Sequence, residues 1–419
     1  MLIAGCGGSA GGGSGSGGSG GGNSSTTVTF TITGGTPTAV ASKVESGSFA
    51  AATLTAGNLT LSLPSGTTSF AVAYVCPPVS VNASPPYQQT PQNVVEASTL
   101  DGTSFSVSCS AASSTGATGM LTGSVDASAI SGTSFVDILA QNGATSSSGS
   151  LGAASGNFSF AAPTGTDRVE VVAFNTALSG FVESFSMVAA KNLSSQAVPG
   201  TLNGGNTVVL GAADQAPLEP ITYNSVPAGF SAPTTLVDYE FGGNGGFPIA
   251  NAVTTAYPAV PAAAMENGDY YSFTAYAMGA SGEVLVETTS TSGGPIYFTF
   301  PPAWTYAGPV AAKWLSFEMA YTGFSGTANV CDEVSMDWST SSSAQNIVSV
   351  LATENYLNGS TTVSIPDLSG LAGFAAAPPS GTAVVWGATV LQGNSSCLQP
   401  PPLNATVKVV TDTGFYTSP

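Results

Sequence analysis

The chain has 419 residues, of which 23 are acidic and only five are basic, giving a formal net charge of −18 at pH 7. This length predicts several sandwich-sized domains rather than one core. The basic residues, Lys43, Arg168, Lys191, Lys313 and Lys408, are scattered along the sequence, which excludes nucleic acid as a partner. The chain contains no histidine, the commonest general base and metal ligand, so we expect a protein that is not an enzyme and binds no cofactor.

The N-terminus carries a short apolar stretch, Ile3-Ala4-Gly5, directly before Cys6, and a Gly/Ser run follows. These residues resemble a bacterial lipobox with the flexible tether that such lipoproteins carry. The resemblance implies that residues 1–26 are a lipobox remnant with a disordered tether and that Cys6 is lipidated. Gly7, rather than an aspartate, follows the cysteine, which favours anchoring to the bacterial outer membrane. The charged and apolar regions of a secretory signal are missing, so we expect the true start to lie upstream of Met1.

Short runs of β-branched and aromatic residues between Gly, Pro, Ser and Asn predict an all-β protein. Residues 27–33 alternate strictly between apolar and polar side chains, which predicts a first strand facing a core. A turn of the form Pro-[Ser/Thr]-Gly-Thr leads into an alternating strand at Pro64, Pro163 and Pro379, and the turn at Asn267-Gly268-Asp269 does so without proline. This recurrence predicts tandem antiparallel β-sandwiches of related build.

A second resemblance covers about 75 residues of the chain's second predicted domain. Residues 121–126 form an opening strand, Gly156-Asn157-Phe158-Ser159-Phe160 forms another, and Pro163-Thr164-Gly165-Thr166 leads into an alternating strand at 169–173. This order resembles the carboxypeptidase-regulatory-like (transthyretin-like) domain. The resemblance implies a β-sandwich and carries no catalytic residues.

The cysteines mark the two terminal domains. With Cys6 assigned to the lipid, four cysteines remain, and they allow three pairings. Proximity favours Cys76 with Cys109 and Cys331 with Cys397, and an even number is typical of an exported chain. We therefore predict a β-sandwich at 27–115 with the first disulfide, a carboxypeptidase-regulatory-like sandwich at 116–195, an aromatic-rich sandwich at 196–302, and a sandwich at 303–419 with the second disulfide.

Aromatic residues are dense between residues 218 and 338. Such rings can form a face that stacks on sugars, with Tyr270, Tyr271, Trp304 and Trp314 as ligand-binding candidates. Tyr270 and Tyr271 are adjacent, so their rings point to opposite faces of a strand and at least one is expected to face solvent. The simpler interpretation is that most of these aromatics pack in the cores.

Three acidic residues, Asp332, Glu333 and Asp337, lie close together beside Cys331. They could offer oxygen ligands to Ca²⁺, which makes them a weak metal candidate. A solvated strand edge, charged to deter edge pairing, is the alternative that we favour, because the Asp-x-Asn-x-Asp-Gly loop pattern is absent. We therefore predict no metal site.

These features predict a lipid-anchored extracytoplasmic protein of tandem Ig-like or transthyretin-like β-sandwiches, with a structural or adhesive role at the cell surface. Its expected partners are the membrane, through the N-terminal lipid, and a polysaccharide or another surface protein. The main alternative is a glycan-binding surface lipoprotein that uses the aromatic face. A surface hydrolase with a pair of catalytic carboxylates is a third, more distant possibility, since no spacing of the acids singles out such a pair.

Overall fold

The computed structural model describes residues 25–81, 86–109, 117–143, 145–179, 182–242, 245–324, 329–393, 397–398 and 402–419. Cys6 and nearly all of the predicted tether lie outside these residues. The described chain is almost entirely β-strand, with one α-helix, α1 (Glu354–Leu357), which confirms the all-β prediction. No helix in the described ranges is long and apolar enough to cross a membrane.

The strands fall into four successive units, of which the first two fill the N-terminal half of the chain. The first unit contains β1 (Thr26–Thr33), β2 (Ala39–Val44), β3 (Ala50–Ala51), β4 (Asn58–Leu63), β5 (Ser69–Val75), β6 (Val79–Val81), β7 (Tyr87–Ser98) and β8 (Ser104–Ser108). The second contains β9 (Thr118–Asp126), β10 (Phe135–Asn142), β11 (Thr145–Leu151), β12 (Ser155–Pro163), β13 (Gly165–Ser179), β14 (Val182–Val198), β15 (Gly200–Thr201) and β16 (Val208–Val209).

The third and fourth units fill the C-terminal half. The third contains β17 (Leu218–Asn224), β18 (Thr234–Glu240), β19 (Gly246–Val253), β20 (Ala256–Pro258), β21 (Tyr270–Gly279), β22 (Gly282–Ser290) and β23 (Ile296–Thr299). The fourth contains β24 (Ser316–Glu318), β25 (Val330–Ser341), β26 (Ala344–Thr353), β27 (Thr362–Ser364), β28 (Ala383–Gly393) and β29 (Thr406–Thr417), with α1 after β26.

The larger sheets of all four units share one strand order. The larger sheets run β3-β2-β5-β7, β11-β10-β13-β14, β19-β18-β21-β22 and β26-β25-β28-β29. The smaller sheets run β4-β1-β8, β12-β9-β15, β20-β17-β23 and β24-β27, and β16 also pairs with β9. The strand after each recurrent turn, β5, β13, β21 or β28, holds the same inner place in its larger sheet. The recurrent turn in the sequence therefore marks the same strand position in each of the four sandwiches.

The core of each sandwich follows from strand alternation. In β1, Val28, Phe30 and Ile32 are buried while the residues between them are partly or fully exposed, as the sequence predicts. The ring of Phe30 stacks on Phe105 of the same small sheet at 4.9 Å and meets Phe70 of the facing sheet edge-on at 5.9 Å. These buried rings hold the two sheets of the first unit together.

The larger sheets of the four units join edge to edge. β14 meets β19 at one residue pair, Ser186 with Ala250. β22 pairs with β29 antiparallel over six residue pairs, and β26 pairs with β7 in parallel over nine. One continuous sheet thus runs through the second, third, fourth and first units in that order, and the N-terminal unit lies beside the C-terminal one.

The predicted domain limits can be placed on this architecture. The limit at 195 falls within β14, and Leu202, Val208 and Leu210 belong to the buried cluster of the second unit. The cores of the third and fourth units form a single buried cluster across the limit at 302. The exact limits stay a prediction.

Both predicted disulfides are present. Cys76 is bonded to Cys109 with 5.3 Å between the Cα atoms, and Cys331 is bonded to Cys397 with 6.4 Å between them. Cys331 lies on β25 and Cys397 in the segment between β28 and β29, where they pack with Leu391. The second disulfide therefore fastens this segment onto the sheet.

Replacing Cys76 and Cys109 together with serine is expected to lower the free energy of unfolding of the first unit by about 3–4 kcal/mol, because the disulfide restricts the unfolded chain. Differential scanning calorimetry of the oxidised wild type and the double variant measures the loss. Non-reducing peptide mapping is the companion measurement. A peptide that joined Cys76 to Cys331 would contradict both the pairing and the unit scheme.

Candidate functional site

The junction between the first and fourth units is reinforced by a buried charge. Lys43 on β2 donates to Glu96 Oε1 on β7 at 3.1 Å, and Tyr356 on α1 donates to the same oxygen at 3.1 Å. The Lys43 ammonium also lies 5.5 Å from the centroid of the Tyr356 ring. Because Glu96 is 6% exposed and pairs with both units, this contact orients α1 against β7.

A second set of hydrogen bonds closes the same junction. The carboxylate of Asp101 accepts from Thr353 Oγ1 and from Asn355 Nδ2, each at 2.6 Å. Gln92 on β7 accepts from the backbone N–H of Ala375 at 3.0 Å. These contacts join residues more than 250 positions apart in the sequence.

The junction between the second and third units is built around the only arginine of the chain. Arg168 Nη1 and Nη2 donate to the two carboxylate oxygens of Asp269 at 2.7 and 2.8 Å, and Nη2 also donates to Glu170 at 2.7 Å. Tyr239 donates to Asp269 at 2.5 Å, and Glu266 lies 3.7 Å from Arg168 Nε. We call these five residues the Arg168 cluster.

Local structure explains why the Arg168 cluster forms. Arg168 and Glu170 are two residues apart on β13 and therefore share a face of the sheet. Asp269 ends the turn before β21, where Gly268 has a φ of 96° and the Asp269 carboxylate accepts from the backbone N–H of Glu266 at 2.6 Å. The left-handed backbone conformation of Gly268 thus orients the side chain of Asp269 toward β13.

The Arg168 guanidinium pairs with two buried side chains in this cluster, Glu170 and Asp269. The pKa values of these two carboxyls shift in opposite directions. The side chain of Glu170 is 1% exposed, and burial raises its pKa to about 8 despite its contact with Arg168. Burial also acts on Asp269, but hydrogen bonds from Arg168 and Tyr239 outweigh it and lower the pKa of that carboxyl. Arg168 therefore stabilises the ionised form of Asp269 more effectively than that of Glu170.

A cleft opens beside this cluster, between the second and third units. Its volume is about 510 Å³. Five phenylalanines line it: Phe135, Phe174, Phe185, Phe241 and Phe247. Asp137 and the edge-strand residues Ser146, Ser147 and Ser148 add polar groups to the lining. We call this feature the phenylalanine cleft.

The predicted glycan-stacking face is not assembled as such. Tyr271 is fully buried and its hydroxyl accepts from the backbone N–H of Val260 at 2.9 Å, while Trp304 is 6% exposed. Tyr271 faces the core because β21 alternates, and Trp304, which follows β23, packs in the buried cluster of the third and fourth units. Neither ring is available to a ligand. Tyr270 is half-buried on the opposite face, and Trp314 is half-buried against Trp338 at 6.1 Å.

The acidic residues of β25 are placed differently from either sequence interpretation. β25 is an inner strand, paired with β26 on one side and β28 on the other, so the strand-edge interpretation is wrong. Asp332 and Glu333 are adjacent and point to opposite faces, so they do not converge on one ion. Among the described residues, no group of three or more Asp, Glu, His or Cys side chains could hold a metal ion.

Burial changes the acidity of these side chains. Asp332 is 6% exposed and its strand neighbours Ala352 and Val390 are buried, and this burial raises its pKa to about 7. Burial likewise raises the pKa of Glu333 to about 7 and that of Asp337 to about 6. The contribution of these carboxyls to the stability of the fold therefore depends on pH.

Comparison with known proteins adds little. The chain matches no protein-family model and no curated protein. Two solved structures of candidate adhesins from Bacteroides ovatus are similar in part. The first has 10% sequence identity, a TM-score of 0.18, and coverage of 46% of this chain and 95% of that one. The second has 8% identity, a TM-score of 0.14, and coverage of 43% and 87%. Likeness at these scores supports no conclusion about fold or function.

Proposed function

We propose that this protein is an extracytoplasmic structural or adhesive surface protein that acts as a rigid scaffold rather than as an enzyme. The observation that carries the proposal is the continuous sheet through all four units. Domains in one chain ordinarily move relative to one another unless their interface is large. Here backbone hydrogen bonds between strands and the two buried polar junctions oppose such movement, as a surface protein that resists force or presents a ligand requires.

The compartment is supported by the cysteines. Two disulfides within a chain of this kind are typical of an oxidising, extracytoplasmic environment. The anchor that we propose is a lipid on Cys6, followed by the Gly/Ser tether. A net charge of −18 would keep such a protein soluble and away from anionic lipid surfaces, so the lipid would supply the attachment.

Replacing Cys6 with serine in the full-length protein is expected to release it from the membrane fraction. In this proposal the lipid on Cys6 is the only attachment to the membrane, and the sulfur atom of Cys6 carries it. Fractionation of cells that express the wild type and the variant, with immunoblotting of both fractions, measures the release. Retention of the Cys6→Ser variant in the membrane fraction would refute the lipid anchor.

The adhesive role is tested separately in the native bacterium. Cells that lack the gene should lose attachment to a surface or to neighbouring cells, and the wild-type gene should restore it. The Cys6→Ser gene should not restore it, because the scaffold would no longer be held at the surface. Unchanged attachment in the deletion strain would contradict an adhesive role. A glycan array with residues 25–419 checks whether a polysaccharide is the partner.

A further inference from the structure

The phenylalanine cleft has the features of a small-ligand site. Its volume of about 510 Å³ lies within the range of about 300–1,000 Å³ for ligand pockets. Phe135 stacks on Phe174 at 4.9 Å with 13° between the ring planes, and Phe185 meets Phe174 edge-on at 5.7 Å. Phe241 and Phe247 of the third unit, 5.5 Å apart, form the other wall. Two units thus supply fixed aromatic surfaces around one cavity.

The polar groups of the cleft are few and lie on one side. Asp137 is half-buried on β10 and accepts a hydrogen bond from Ser150 of β11. Asp137 pairs with Ser150 in the register, so Ser146 and Ser148 of β11 lie on the same face of the sheet as Asp137. The lining contains no basic side chain. A ligand in this cleft therefore meets aromatic rings, one carboxylate and hydroxyl groups, and the nearby Arg168 is already paired with Asp269 and Glu170.

The neighbouring Arg168 cluster already combines a cation with an aromatic ring and acidic side chains. Phe241 lines the cleft, and the Arg168 guanidinium carbon lies 4.4 Å from the centroid of the Phe241 ring. There the cation is held between an aromatic face and the carboxylates of Glu170 and Asp269. The cleft repeats this combination with four more phenylalanines and Asp137, but holds no cation of its own chain.

We propose that the phenylalanine cleft binds a small organic cation, an ammonium with an aromatic or branched apolar body. The apolar body fills the space between the rings, and the ammonium faces Asp137 and the ring faces. The net charge of −18 attracts such a cation from solution. A glycan fits less well, because its many hydroxyls would meet mainly phenylalanine rings that can accept or donate no hydrogen bond. This site stands apart from the scaffold role and does not depend on it.

The test uses three phenylalkyl probes of similar size and different charge, titrated calorimetrically into residues 25–419. The probes are phenethylammonium, 2-phenylethanol and 3-phenylpropionate. Phenethylammonium is expected to bind about tenfold more tightly than the alcohol, the gain typical of one cation–π or ionic contact. The carboxylate probe is expected not to bind. N-acetyl-lysine amide is a fourth probe, because a protein side chain presents the same ammonium on a different body.

Two variants locate the site, and one controls for net charge. Asp137→Asn should remove the preference for the ammonium while leaving the alcohol affinity within about twofold. Ser148→Trp, at an exposed rim position, should block the cleft and abolish binding of every probe. Glu45→Gln removes one charge at an exposed position of the first unit and should leave all affinities unchanged.

Several results would overturn the proposal. It fails if no probe binds, if the alcohol binds as tightly as phenethylammonium, or if Ser148→Trp leaves binding intact. It also fails if Glu45→Gln reduces ammonium binding as much as Asp137→Asn does, since the attraction would then be general. Tighter binding of the lysine amide than of phenethylammonium would replace the small-ligand assignment with a protein side chain.

Discussion

Replacing Arg168 with methionine is expected to lower the free energy of unfolding by about 3–5 kcal/mol at neutral pH. The Arg168 guanidinium is the only cation within reach of the buried carboxylates Glu170 and Asp269 in the described junction. Removing it leaves the ionised Asp269 uncompensated and exposes the ring of Phe241 to an unfilled space. Differential scanning calorimetry measures the loss, and hydrogen exchange at β13 and β21 locates it at the junction of the second and third units.

The exposed Lys313 provides the matched control for Arg168. Lys313→Met removes the same charge from the surface and should change the free energy of unfolding by less than about 0.5 kcal/mol. The triple variant Arg168→Met, Glu170→Gln and Asp269→Asn should recover much of the stability, because no buried charge is then left unpaired. A loss below 1 kcal/mol for Arg168→Met alone would show that the cluster does not hold this junction.

The fourth unit is expected to become more stable as the pH falls from 8 to 5. Asp332 and Glu333 have pKa values raised to about 7 in the folded state, above their ordinary values near 4. Between these values the folded state binds more protons than the unfolded state, so stability falls as the pH rises through this window. For the 6% exposed Asp332 alone, the change amounts to roughly 2–4 kcal/mol.

Tryptophan fluorescence reports mainly on this part of the chain, since Trp338 lies on β25, Trp386 lies on β28, and all four tryptophans follow residue 303. Urea unfolding followed by fluorescence at pH 5, 6, 7 and 8 gives the slope. Asp332→Asn should reduce that slope and raise stability at pH 8, whereas Glu45→Gln in the first unit should do neither. Maximum stability at pH 8 with a steady fall toward pH 5 would contradict the burial of these carboxyls.

Local features of the fold could be predicted from the sequence. Strict alternation identified β1, and the recurrent turns identified β5, β13, β21 and β28, because alternation and turn chemistry act over a few residues. The disulfide partners were predicted because each lies within one unit, only 33 or 66 residues apart. The larger sheets have the same strand order in every unit, so the recurrent turn occupies an equivalent place in each.

The long-range pairings could not be predicted. β7 and β26 are separated by more than 200 residues, and parallel pairing of two edge strands leaves no signal in either sequence. The same limit explains the error on β25, whose acidic residues suggested a strand edge although two strands flank it. An acidic side chain predicts solvent exposure only when the position of its strand in the sheet is known.

The candidate sites show the same division. Tyr270 and Tyr271 were correctly assigned to opposite faces, but only the structure shows that Tyr271 faces the core. The phenylalanine cleft escaped notice because its rings come from two units and are spread over more than 100 residues. Arg168 did carry a signal: it is the only arginine of the chain, placed two residues from Glu170 in an alternating strand.

The continuous sheet is the central claim, and hydrogen exchange along β7 tests it most directly. Antiparallel pairing with β5 protects alternate amides of β7, and parallel pairing with β26 protects the amides between them. Both pairings cover Gln92 to Glu96, so consecutive amides over these residues should all exchange slowly in the full-length protein. Rapid exchange of every second amide would show that β7 is a free edge, and the first unit would then not be joined to the fourth.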